Sequence, residues 1–180
     1  MEKQQKYTIG IDLGGTNTVF GIVDAQGTIV AQDSMKTQAY ETAEAFVEAG
    51  VARLVPLISK VGGLDAIAGM GIGAPNANFY TGAIETAPNI TWAHERTVPL
   101  AKMFSEQLSS LDSRQKEPFP VRITNDANAA AMGEMAYGAA RGMKNFIVIT
   151  LGTGVGSGIV INGQLVYGHD GFAGELGHVT

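Results

Sequence analysis

The chain of 180 residues contains no cysteine. That absence excludes disulfides, a thiol nucleophile and any zinc or iron–sulfur site built on cysteines of this chain alone. Charge is also scarce, at 16% of residues, and the balance of 12 basic against 17 acidic side chains is −5. A nucleic acid or an anionic membrane calls for a basic patch, so neither is expected as a partner. No apolar run reaches the roughly 18 residues of a membrane span. The N-terminus, Met1-Glu2-Lys3-Gln4-Gln5-Lys6, leads into a strand-like run without the apolar stretch of a signal peptide. Cytoplasmic localisation is the expectation. What the chain does have is hydrophobic content, 45%, which is incompatible with a disordered chain. Its length suits one domain or two small ones.

Glycine is the abundant residue, 24 of 180, well above the usual ~7%. The flanking segments read as alternating elements. Tyr7 to Leu13 is a buried strand, Gly14 to Asn17 a turn, Thr18 to Val23 a second strand, and Thr28 to Ala31 opens a third. Phe46, Val47, Val51, Leu54, Val55 and Ile58 follow helical spacing between about residues 41 and 61, with a kink or break expected at Gly50 or Pro56. Ile67 to Ala74 is a strand, followed by a long loop rich in Asn, Gly and Pro. Leu100, Phe104, Leu108 and Leu111 mark a second helix, with Thr97 as its cap and Pro99 in its first turn. Residues 109–120 read as a surface connection. Val121 to Thr124 is a strand that runs into Asn125-Asp126 and an Ala-rich helix extending to about Ala140. The whole is a mixed α/β layer architecture.

Two segments repeat. Ile9 to Val30 and Ile147 to Val166 both read strand, glycine-rich hairpin, strand, tight turn, strand, about 138 residues apart. Each puts a polar residue, Asp12 or Thr150, before Leu-Gly. A repeat of this kind implies a duplicated unit, and two such hairpins face to face would clamp a nucleotide. The second unit is cut short at Thr180, so the chain is expected to be an N-terminal piece of a longer protein.

The first hairpin is Asp12-Leu-Gly-Gly-Thr-Asn17. Gly14 and Gly15 let backbone N–H groups approach phosphate oxygens, Thr16 and Asn17 add donors, and Asp12 is placed to hold Mg²⁺. Gly-Gly also marks a plain tight hairpin. The second hairpin, Thr150 to Gly158, carries alternating glycines; Gly152, Thr153, Gly154 and Gly156 are its candidate phosphate-binding residues. A flat strand weakened by glycine is the alternative. Asp126 at a strand-to-helix junction serves either as a helix cap or, in the clamp, as a general base. Glu175 and His178 offer acceptor and donor atoms to vicinal hydroxyls, although a lone His is commonly a surface residue.

In their order and spacing these motifs resemble the ROK family (repressor, ORF, kinase), its glucokinase branch most of all. Asp12 to Asn17 and Thr150 to Gly158 resemble the family's two phosphate motifs. Asn125-Asp126 resembles its sugar-contact Asn and catalytic Asp, and Glu175-x-Gly-His178 its sugar-binding motif, whose His also ligates zinc. Gly73-Ala-Pro-Asn76-Ala-Asn78 is similar to the Gly-x-Pro-Gly loop, with Asn76 in place of Gly; Asn78 is a candidate sugar contact and Asn89 a weaker one. The family's zinc cysteines are missing here, so zinc at His178 is expected only in a longer chain.

The resemblance implies an actin-like ATPase (ribonuclease-H-like) fold, with residues 1–124 as the N-terminal α/β domain and residues 125–180 as the start of a second, larger one. It implies an ATP- and Mg²⁺-dependent hexose kinase acting on O6 of glucose, with Asp126 as base, and a homo-oligomer, a dimer, at full length. The first strand leaves no room for an N-terminal helix-turn-helix, which favours the kinase branch. The 180 residues alone are expected to have little or no activity. Alternatives are a non-catalytic sugar-sensing module, a kinase for N-acetylglucosamine, N-acetylmannosamine, mannose or fructose, and an actin-like chaperone or filament ATPase, which would not need Glu175-x-Gly-His178.

Overall fold

The computed structural model describes residues 6–112, 117–152 and 154–178, the last without its side chain. Strand β1 (Tyr7–Leu13) buries Ile9, Ile11 and Leu13 on one side, as period-two alternation requires. Strand β2 (Asn17–Asp24) buries Thr18, Phe20 and Ile22 on the same side, and β3 (Ile29–Lys36) completes an antiparallel meander. Helix α1 (Ala43–Lys60) starts at Thr42, whose hydroxyl accepts the Ala45 N–H at 3.2 Å. It runs unbroken through Gly50 and Pro56, where the sequence suggested a kink. The Pro56 side chain is on the exposed face, while Phe46, Val47, Leu54 and Leu57 pack inward.

Strand β4 (Ile67–Gly73) returns parallel to β1. The expected loop after it contains a small antiparallel sheet of β5 (Ala77–Asn78), β6 (Ala83–Glu85) and β7 (Thr97–Val98). Thr97 therefore lies in a strand; helix α2 (Leu100–Ser110) begins after Pro99 without a side-chain cap. Strand β8 (Val121–Thr124) adds parallel to β4, giving a five-stranded sheet in the order β3-β2-β1-β4-β8. Helices α1 and α2 cover one face around Phe46, Trp92 and Phe104, with the Phe46 and Trp92 rings 4.6 Å apart.

Helix α3 (Asp126–Tyr137) ends three residues before the expected Ala140. It packs on a three-stranded sheet, β11-β10-β9, formed by β9 (Phe146–Leu151), β10 (Val155–Ile161) and β11 (Gln164–Leu165). The contact is close because β10 carries glycine there. A Cβ at Gly158 would come 2.5 Å from the Ala131 methyl and 2.8 Å from the Ala127 carbonyl oxygen. Small residues on both surfaces let the helix lie directly on the strand. Among the described residues, no helix is long and apolar enough to cross a membrane.

Candidate active site

The two hairpin tips open onto one cavity of about 860 Å³. Gly14, Gly15 and Thr16 line it from the first hairpin, and Gly152, Gly154 and Gly156 from the second. Asn125, Asp126 and Glu175 line it as well. Nine of the expected site residues therefore share one crevice.

The first turn is oriented by the two residues that follow β3. In the meander, Asn17 pairs with Lys36, so Thr37 and Gln38 arrive beside the turn. The Thr37 N–H donates to the Thr16 carbonyl at 3.0 Å and its hydroxyl to the Gly14 carbonyl at 2.7 Å. The Gln38 amide donates to the Gly15 carbonyl at 2.8 Å. All three carbonyls of the turn are thus drawn to one side. In a planar trans peptide the next N–H points the opposite way, so the amides of Gly15, Thr16 and Asn17 face away from Thr37 and Gln38. Successive backbone N–H groups in a turn held in this way can serve as an anion-binding surface.

Asn125, and not Asp126, is the cap of α3: its Oδ1 accepts the Ala127 N–H at 2.8 Å. Its Nδ2 donates to Glu175 Oε1 at 3.2 Å, which places Glu175 beside the helix start. Asp126 is the first helical residue, exposed, with one carboxylate oxygen also accepting the Ala127 N–H at 2.8 Å. A carboxylate there sits at the positive end of the helix. Asp12, at the end of β1, has its carboxyl raised above the usual carboxylate value, first by burial and then by the negative charge of Asp126. Carboxylates are hard oxygen donors suited to a divalent cation, and Asp126 is near enough for its charge to act on Asp12.

Three expected residues are not among those lining the cavity. Asp12 is in β1, outside that lining, and the side chain of Asn17 accepts from Lys36 Nζ at 2.8 Å. Asn78 is 4% exposed and its amide is engaged: Nδ2 donates to the Asp170 carbonyl at 2.8 Å, while Oδ1 accepts the Tyr80 N–H at 2.9 Å. Thr153 and the side chain of His178 lie outside the described residues. Among the described residues, no cluster of three or more His, Cys, Asp or Glu is grouped to hold a metal ion.

The structure also brings in residues that the motifs did not single out. Gln38 and Thr91 line the cavity, beside Asn76 of the Gly-x-Pro-Gly-like loop and Asn89, the weaker sugar-contact candidate, which the motifs had named. Asn76 sits at φ 51°, a left-handed conformation that Asn tolerates better than most residues. Its Nδ2 donates to the carbonyls of Glu85 at 3.3 Å and Thr86 at 3.0 Å. The signal for Thr37 and Gln38 was available in the meander, because a third antiparallel strand must end level with the first turn.

A five-stranded mixed sheet joined through α3 to a second hairpin sheet, with a glycine-lined crevice between the hairpins, defines an actin-like ATPase fold. The chain belongs to the ROK family, whose model matches residues 8–180. It is 40% identical over 173 residues to a glucokinase of Streptomyces coelicolor, covering 96% of this chain and 49% of that protein. It is 32% identical over 180 residues to the xylose repressor of Bacillus subtilis, covering 99% of this chain and 43% of the repressor. A ROK family glucokinase from Streptomyces griseus, solved in complex with glucose and AMPPNP, superposes with a TM-score of 0.77 at 37% identity, over 96% of this chain and 50% of that one. The chain thus spans about half the length of these relatives.

Proposed function

We propose that the intact protein is an ATP-dependent hexose kinase, with glucose phosphorylated at O6, and that residues 1–124 and 125–180 belong to its two domains. The convergence of both hairpins with Asn125, Asp126 and Glu175 on one cavity is the observation that carries this reading. The terminal phosphates of ATP are placed on the backbone amides of the two turns. The described lining contains no Lys or Arg, so the donors it offers an anion are amide N–H groups and hydroxyls. Asp12, with Asp126 nearby, would hold Mg²⁺, whose charge would offset that of the phosphates.

Asn125 and Glu175 are held together and present one amide and one carboxylate to sugar hydroxyls. The Asp126 carboxylate orients the attacking hydroxyl and takes its proton. In phosphoryl transfer through a loose transition state, that positioning matters as much as the basicity. Glucose and AMPPNP in the Streptomyces griseus enzyme support the ligand assignment, and the Streptomyces coelicolor glucokinase supports the activity.

The match to a xylose repressor motivates a second reading, a sugar sensor without turnover. A coupled assay of the intact protein with ATP and a panel of hexoses separates the two. Glucose 6-phosphate formation is the expected result; sugar binding with no turnover on any hexose would establish the sensor.

A further inference from the structure

Gln38 lies on the cavity wall, and both ends of its carboxamide are in use. Its Nε2 donates to the Gly15 carbonyl at 2.8 Å and to the Asn89 carbonyl at 2.5 Å. Its Oε1 accepts the Thr91 N–H at 3.3 Å and the Thr91 hydroxyl. Gly15 belongs to the first glycine turn, Asn89 and Thr91 to the loop that precedes β7. The two segments also touch directly, since a Cβ at Gly15 would come 3.1 Å from the Asn89 carbonyl oxygen. Two carbonyl oxygens, Gly15 and Asn89, therefore converge on a single amide nitrogen. Without that donor they repel each other, and each can be satisfied only by turning toward water. One side chain clasps the anion-facing turn to the opposite loop of the same cavity.

We propose that Gln38 is a positioning residue that couples the two substrate sites. The proposal rests on the kinase reading, in which phosphates occupy the first turn and the sugar is held by Asn125 and Glu175; it adds that the sugar reaches Asn89 and Thr91, which line the same cavity. An anion on the turn amides favours the arrangement in which the turn carbonyls stay with Thr37 and Gln38. A sugar on the loop favours the arrangement in which Asn89 and Thr91 stay with Gln38. Both ligands select the same clasped state, so each tightens the binding of the other, and by the same factor.

The test uses calorimetry on the intact protein with Mg²⁺. AMPPNP is titrated with and without saturating glucose, and glucose with and without saturating AMPPNP. In the wild type the second ligand is expected to bind on the order of fivefold tighter or more, equally in both directions. Gln38→Glu keeps the acceptor for Thr91 but replaces the donor with an ionised oxygen facing two carbonyls. It should bring the factor to about one while each ligand still binds alone. Thr91→Val removes only the hydroxyl donor and should lower the factor part of the way, which keeps the test available if the first variant folds poorly. A merely structural role would lower the titratable fraction and leave the factor at its wild-type value. Wild-type coupling in Gln38→Glu, or no coupling in the wild type, would overturn the proposal. Uncoupled ligands with normal glucose phosphorylation would end this proposal alone; coupled ligands without turnover would end the kinase reading alone.

Discussion

The two glycine hairpins match in sequence but are held by different means. The first is braced from the side, where Thr37 and Gln38 engage the carbonyls of Gly14, Gly15 and Thr16. The second rests on a helix, and its glycines divide between two tasks. Gly156 and Gly158 make room for α3: a Cβ on Gly156 would come 3.0 Å from the Ala127 methyl, and one on Gly158 closer still to Ala131. Gly152 and Gly154 would meet nothing within 4 Å, and Leu151 beside them is 81% exposed. A shared motif therefore does not assign the same duty to each of its glycines. In the first hairpin the turn is pre-organised by polar side chains; in the second, packing fixes the strand and leaves the tip open to the cavity.

The largest effect is expected where the two hairpins meet. Asp126→Asn keeps the helix start but removes the base, and should lower kcat of the intact protein by about 10² to 10⁴, with glucose affinity little changed in a calorimetric titration. Near-normal turnover would remove Asp126 from the chemistry. The division within the second hairpin comes next. Gly158→Ala should destabilise by about 1–3 kcal/mol through overpacking against α3, read as a lower thermal midpoint. Gly154→Ala should leave that midpoint unchanged and weaken AMPPNP binding instead. If both behave alike, the two glycines do not have separate tasks.

In the first hairpin, Thr37→Val removes a fully buried hydroxyl that bonds Gly14 and lies 2.8 Å from the Thr18 hydroxyl. It should cost about 1–2 kcal/mol in chemical unfolding and weaken AMPPNP as well, because the turn loses its brace. The smallest effect is expected farther along β3. The Asp33 carboxyl lies below its usual value of 3.8, first through the Ser34 N–H and then through Arg53, 3.3 Å away. A lowered value means that the ionised form stabilises the fold at neutral pH, and that this contribution is lost as pH falls through the lowered value. Asp33→Asn should therefore lower the thermal midpoint slightly at pH 7, and the difference should vanish under strongly acidic conditions.

Much of this was legible in the sequence, because short-range patterns carried it. Alternating Ile9, Ile11 and Leu13 gave β1 its range, and the meander, β4, β8 and α3 followed from apolar period and glycine punctuation. The small sheet of β5, β6 and β7 did not show, because strands of two or three residues have no measurable period. Thr97 looked like a cap for the same reason. The crevice was inferred from motifs, but its polar bracing was not. Gln38 acts across 51 to 53 residues of chain on Asn89 and Thr91, and no local pattern reports a contact of that span. Asn78 shows the converse: an Asn close to a sugar-loop motif is spent on tying the chain to Asp170.

If both hairpins grip one triphosphate, a bound nucleotide shields both turns. Amide hydrogen exchange of the intact protein, with and without Mg²⁺ and AMPPNP, tests it directly. The nucleotide is expected to slow exchange in residues 14–17 and 152–156 together. Slowing in only one of the two segments, or in neither while the nucleotide is bound, would contradict it.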